Sequence, residues 1–186
     1  RESVRAFNVI SKNYKNAELI VVSKRSYIQS ADWKIINSNK NIKFFESDYT
    51  KDELYEKFYT TSDIFIMPTF QDSLCMVVLE AVSLGMPVIS TKMFAINNYV
   101  IHKKTGYLLN PPVDCFNKDY TPVAEVFNLD FSRVVELNKY DEFEKDIGEA
   151  MTFFLEKPER IELMRSATKV YFKKMFSERK RQSDFL

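Results

Sequence analysis

The pair of short apolar runs Ile64-Phe65-Ile66-Met67 and Val88-Ile89, each set against proline, does most to limit what this chain can fold into. The first lies between Asp63 and Pro68, and the second opens on Pro87. A strand with one wet face alternates apolar and polar residues, so a run without alternation needs cover on both faces. Between the two runs, Met76 to Leu84 has helical spacing, with Gly85 in the place of a C-cap glycine and Pro87 just beyond. Strand, helix and strand within so short a stretch predict parallel strands joined by a helical crossover.

The same rhythm extends on both sides. Val4, Phe7, Ile10 and Tyr14 predict a helix through about Lys15, and Glu18 to Ser23 a buried strand. Ser30 to Ile36 reads as a helix anchored by Trp33, and Asn41 to Phe45 as a second strand. Thr50 and Glu53 form a capping box for a helix running through Leu54, Phe58 and Tyr59. Ala95 to Ile101 predicts a short helix and Thr105 to Leu109 extended chain. From about Val113 to Tyr140 the pattern breaks, and the stretch reads as an insertion. Helices resume over Tyr140 to Glu156 and, after Pro158 at an N1-like position, over Glu159 to about Phe176, with Ser177 capping one more short helix. The expected class is α/β: a Rossmann-like parallel sheet with helices on both faces and an irregular insertion, one domain over 1–186 with C-terminal helices from 141.

Composition narrows the chemistry. The 27 basic and 26 acidic side chains nearly cancel, so no global field recruits nucleic acid. The cluster Lys173, Lys174, Arg179, Lys180 and Arg181 reads as a solvated helix face. Cys75 and Cys115 make neither a disulfide framework nor a metal motif, and with His102 the single histidine, a zinc site or a Ser-His-Asp triad is not expected. No apolar run approaches the roughly 20 residues that span a bilayer. Reduced thiols point to a cytoplasmic protein, with peripheral attachment at a membrane left open. The start at Arg1, without methionine or signal-peptide pattern, reads as the middle of a longer chain.

Parallel sheets bind ligands at the carboxyl ends of their strands, where loops lead into helix N-termini. The loop after the Asp63 to Pro68 strand carries Asp72, Ser73, Leu74 and Cys75 into a helix that begins at Met76, and offers backbone N–H groups to an anion. Asp72 alone reads equally as a cap. Glu80, inside an otherwise apolar helix, must face solvent, pair with a base or receive hydroxyl groups, because an unpaired buried carboxylate costs several kcal/mol, about the penalty of any uncompensated charge. Sugar and ribose hydroxyls suit such an acceptor. Lys24 and Arg25, just past a strand end, read as a phosphate contact or as a surface pair. Cys75 reads as a packing residue before a reactive thiol, and His102 as a solvated loop side chain.

The blocks Ser62 to Thr69, Asp72 with Glu80-Ala81, Gly85-Met86-Pro87-Val88-Ile89 and Lys104-Thr105-Gly106-Tyr107-Leu108-Leu109 together resemble the retaining, GT-B-fold glycosyltransferases of family 4, the group 1 type. The resemblance covers about Asn41 to Pro112 and implies the C-terminal, donor-binding half of a two-domain enzyme. It implies that Glu80 holds the donor ribose and that Asp72, the catalytic candidate, faces the donor sugar near the reacting centre. Ser73, Leu74, Cys75 and Met76 would bring backbone N–H groups to sugar and diphosphate. Glu46 to Tyr49, with Ser47 at its centre, would line the nucleobase. No metal or other cofactor is implied, because a helix terminus and basic side chains take the phosphate charge.

The implied partners are a nucleotide-diphosphate sugar, an N-terminal acceptor domain of the same protein, absent from this chain, and an acceptor that could be glycan, lipid or small molecule. The implied activity is hexosyl transfer with retention, and this chain alone would not turn over. The pattern departs at the ligand-facing loops. Asp72 replaces Glu, Ser73-Leu74-Cys75 replaces Gly-Phe-Gly, Phe94-Ala95 replaces Gly-Gly, and Lys24-Arg25 replaces the glycine after the first strand. The family's basic pair would lie before Arg1. Two further readings stay open: a degenerate binding or regulatory partner on the same fold, and a nucleotide-sugar epimerase or phosphorylase.

Overall fold

Alternation along the strands divides the interior in two. In the computed structural model, which describes residues 1–114, 117, 121, 123 and 140–177, the elements run in the predicted order. They are α1 (Glu2–Ile10), β1 (Leu19–Ser23), a 3-10 turn (Arg25–Tyr27), α2 (Ser30–Ser38) and β2 (Ile42–Glu46). Next come α3 (Lys51–Leu54), a π-helical turn (Tyr55–Tyr59), β3 (Phe65–Met67), α4 (Met76–Ser83), β4 (Val88–Thr91), α5 (Ile96–Tyr99) and β5 (Gly106–Leu109). The helices α6 (Asp141–Leu155) and α7 (Glu159–Met175) follow. The expected insertion at about 113–140 and the helix expected after Ser177 fall almost wholly outside the described residues.

Among the described residues all strand pairing is parallel, as expected, but it forms two sheets. β1 pairs with β2, and β4 lies between β3 and β5. Ile66, Ile89, Tyr107 and Leu109 belong to one apolar cluster with Val4 and Phe7 of α1 and Phe143, Ile147 and Phe154 of α6. Their strand neighbours Phe65, Met67, Val88 and Leu108 belong to a second cluster with Val78 and Val82 of α4 and Ile96 of α5. Both faces are thus covered by helices, which is why these strands read as unbroken apolar runs. Side chains of β1 and β2, Leu19, Val21, Ile42 and Phe44, join the first cluster. Each large aliphatic side chain so buried contributes about 1.5–3 kcal/mol.

Two glycines are fixed by geometry. At Gly106 a Cβ would stand 2.3 Å from the Val88 carbonyl oxygen, so only glycine lets β5 approach β4. Gly85 ends α4 with φ +81, the left-handed conformation that an L side chain resists.

Helix α1 is shorter than its apolar spacing predicts. It stops at Ile10, where the N–H groups of Asn13 and Tyr14 turn back to the Ile10 carbonyl. Asn39 at the end of α2 donates to the Asn8 and Ser11 side chains and ties that turn down. Pro158 flanks α7 one residue before its first turn. A partly buried charge network joins three helices: Arg5 of α1 meets Asp32 of α2 at 2.6 Å and Glu144 of α6 at 3.4 Å. Asp32 is only 2% exposed, and its partner removes the penalty of an unpaired interior charge.

Candidate functional site at the strand ends

Each strand hands the chain to a loop at its carboxyl end, and these loops carry the sequence-predicted residues. β1 leads to Lys24 and Arg25, β2 to Ser47, β3 to Asp72–Cys75 and β4 to Phe94-Ala95. The Arg25 N–H donates to the Glu46 carboxylate at 3.0 Å, and the Ser47 N–H to the Ser23 carbonyl, which joins the first two loops. The third and fourth loops are joined by the Asp72 N–H against Met93 Sδ at 3.3 Å and the Ala95 N–H to the Ser73 carbonyl at 3.4 Å. Across the two sheets, Lys51 Nζ at the start of α3 meets Glu80 Oε1 of α4 at 3.0 Å. This ion pair connects the segment after β2 to the helix after β3.

The loop before α4 is tightly wound. Asp72 Oδ1 accepts the N–H groups of Leu74 at 3.1 Å and Cys75 at 2.6 Å. Of the backbone groups expected to meet a ligand, two are thus held by Asp72, while in the first turn of the helix the Val78 N–H bonds the Cys75 carbonyl at 2.9 Å. Asp72 thus ties the loop rather than capping the helix, whose N-cap Cys75 has no side-chain cap bond, and it stands at the loop where the carboxylate was expected. Cys75 has φ +45 and Phe94 φ +35. These are two of the non-glycine residues with positive φ, and both stand where the resemblance leads one to expect glycine. The loops keep a glycine-like backbone without the glycine, at a cost of about 1–3 kcal/mol for each such residue.

Burial, then the nearby Asp72, pushes the Cys75 thiol up to about 11, so it is a packing residue rather than a reactive thiolate. Burial pushes the Tyr59 hydroxyl up to about 12, with Glu80 adding to the effect. Glu80 itself has taken one of the options open to it, a basic partner. The hydrogen bond from Lys51 to Glu80 is the main reason the ammonium is held above its usual range, and Tyr55 adds to it. The Lys51 ammonium also lies 5.4 Å from the Tyr55 ring centroid.

The basic candidates separate. Arg25 stacks its guanidinium over Trp33 at 4.3 Å and donates to the Ile28 carbonyl at 2.9 Å, so its head is engaged in packing. Lys24 is exposed and lies 6.0 Å from the Tyr27 ring. His102 is exposed but not merely solvated. Its Nδ1 accepts the Leu108 N–H at 3.0 Å, and burial together with Lys103 lowers its affinity for a proton. Two clefts, of about 410 and 520 Å³, lie along α6 and share Asn110 and Asp146; neither contains Asp72 or Glu80.

Sequence reasoning missed Lys51 and Tyr55 as neighbours of Glu80. The capping box did carry a signal: with Thr50 as N-cap, Lys51 becomes the first helical residue, where a cation opposes the helix dipole. Among the described residues no cluster of His, Cys, Asp and Glu could hold a metal ion, and no helix is long and apolar enough to cross a membrane.

The chain is similar to known proteins in sequence and in fold. In sequence the chain is similar to the capsular polysaccharide biosynthesis glycosyltransferase CapM of Staphylococcus aureus, 24% identical over 127 residues, covering 67% of this chain and 31% of CapM. It is also similar to the sulfoquinovosyl transferase SQD2 of Arabidopsis thaliana, 39% identical over 72 residues, covering 36% of this chain and 14% of SQD2. The chain thus matches about a third or less of the length of these curated relatives.

In fold it resembles the C-terminal domain of a group 1 glycosyl transferase (LpcC) from Francisella tularensis, with TM-score 0.68 and 14% identity, covering 93% of this chain and 76% of that one. The pneumococcal O-GlcNAc transferase GtfA, solved with UDP and GlcNAc, has TM-score 0.64 at 12% identity and covers 98% of this chain and 32% of its own. The model of the family described as glycosyl transferases group 1 matches residues 2–118, and the chain belongs to that family.

Proposed function

We propose that the protein is the donor-binding half of a glycosyltransferase that takes a sugar from a nucleotide diphosphate and passes it to an acceptor with retention. The observation that carries this reading is the position of Glu80. It is a carboxylate midway along an otherwise apolar helix, 24% exposed, and paired with Lys51 at the start of α3. In this reading Glu80 receives the ribose hydroxyls and Asp72 faces the donor sugar. The open end of α4 and Lys24 take diphosphate charge, and the turn at Ser47 lines the base. The helix terminus and cations take the role that a metal would otherwise fill.

The acceptor site belongs, on this proposal, to a second domain that precedes Arg1. The pneumococcal relative in fold binds UDP, which makes uridine nucleotides the first donors to try. Saturation-transfer NMR with UDP-, GDP- and ADP-sugars tests the reading. One nucleotide series should show transfer at its ribose and base protons, and absence of transfer from all of them would exclude a donor site.

The side chains of Cys75 and Phe94, where the resemblance leads one to expect glycine, support a second reading, a partner domain that has kept the fold and lost the reaction. Full-length protein that binds a nucleotide sugar without consuming it in the presence of acceptor extracts would favour that reading.

A further inference from the structure

Lys51 stands in a place that local structure alone disfavours. It is the first residue of α3, where the helix dipole repels a cation, and the capping box between Thr50 and Glu53 fixes it there. Its ammonium is nevertheless directed at Glu80 Oε1, 3.0 Å away, and flanked by the Tyr55 ring one turn on. The chain after α3 holds this arrangement in place. Tyr55 to Tyr59 wind as a π-helical turn closed by the Thr60 N–H on the Tyr55 carbonyl at 3.0 Å. Tyr55 meets Tyr59 edge to face at 5.2 Å, and Tyr59 stacks on Phe65 of β3 at 5.4 Å. A π turn is a rare winding that recurs at functional sites. Here it links the residue holding Glu80 to the strand beneath α4.

We infer that Lys51 is a positioning residue for Glu80: it fixes the carboxylate in the direction that receives ribose hydroxyls, and so sets how strongly the site prefers ribose over deoxyribose nucleotides. This rests on the role proposed for Glu80 above. A carboxylate accepts from a ribose diol only from a narrow range of orientations, and an unanchored glutamate on an exposed helix face samples several rotamers. An ammonium on one oxygen leaves the other to face the ligand. Replacing it by an uncharged side chain frees the rotamer without removing the acceptor.

The test is calorimetric titration of the protein with UDP and with 2′-deoxy-UDP, or the guanosine pair if guanine is the base bound. Four variants are compared with the parent: Lys51→Met, Lys51→Arg, Glu80→Gln, and Lys51→Met with Glu80→Gln. The inference predicts that Lys51→Met lowers the ribose-over-deoxyribose preference about three- to tenfold, the span of one hydrogen bond. Lys51→Arg should keep most of it, and Lys51→Met should change nothing further once Glu80 is Gln. If Lys51→Met weakens both nucleotides by one factor, or acts undiminished in the Glu80→Gln background, Lys51 contacts phosphate and the inference is overturned while the role of Glu80 stands. If Glu80→Gln itself leaves the preference intact, the role of Glu80 fails and this inference falls with it.

Discussion

The Asp72 carboxylate accepts the Cys75 N–H at 2.6 Å and thereby holds a non-glycine residue in the left-handed region at the entrance to α4. The bond ties a carboxylate at the strand-end edge to the backbone that opens the helix. Removing it should cost stability as well as any ligand contact. Asp72→Ala leaves the Cys75 N–H without its acceptor and is expected to lower unfolding free energy by about 1–3 kcal/mol. Asp72→Asn keeps an acceptor and should lose less. Urea denaturation of both variants measures the difference.

Cys75 should resist alkylation. With the thiol pushed up to about 11, the thiolate fraction at pH 8 is about one in a thousand. In a Cys115→Ser background, iodoacetamide labelling of the folded chain at pH 8 should be far slower than labelling in denaturant. Equal rates would contradict the buried, protonated thiol.

The same thiol gives stability an alkaline limit. The unfolded chain releases this proton near 9 and the folded chain near 11, so the unfolded state loses protons first. The contribution is complete below about pH 9 and is lost as pH rises toward about 11. Melting temperature measured from pH 8 to 11 should fall, and the fall should be smaller in Cys75→Ala.

Gly106→Ala tests the close approach of β5 to β4. A methyl group 2.3 Å from the Val88 carbonyl oxygen cannot be accommodated without moving a strand, and the expected cost is about 1–3 kcal/mol or more. Gly148→Ala is the control, since its Cβ would meet only Ile10 at 3.5 Å. Denaturant midpoints of the two variants should separate clearly.

The parts legible in the sequence are those where one local rule decides. β3 to β5 are apolar on both faces because helices cover both. Gly85 and Pro87 end α4, and the Thr50–Glu53 capping box is present with both of its bonds. What was not legible depends on contacts between distant segments. The end of α1 is set by Asn39, the division into two sheets by pairing register, and the π turn by the packing of Tyr59 on Phe65. At the candidate site, Asp72 and Glu80 stand out in the sequence as carboxylates beside or within an apolar helix, and the resemblance supplies their proposed roles. The capping box marks Lys51 as a cation at a helix start, but its pairing with Glu80 depends on packing between distant segments. The left-handed conformations at Cys75 and Phe94 had no signal except the glycines that the family resemblance leads one to expect there.

The most direct test of the account is calorimetric titration of UDP, GDP and ADP into the protein and into Glu80→Gln. One of the three nucleoside diphosphates should bind the parent, and the substitution should weaken it about tenfold, the loss expected for a hydrogen bond to a charged acceptor. Equal affinity in both proteins, or no binding of any nucleoside diphosphate, would contradict a donor site built on Glu80.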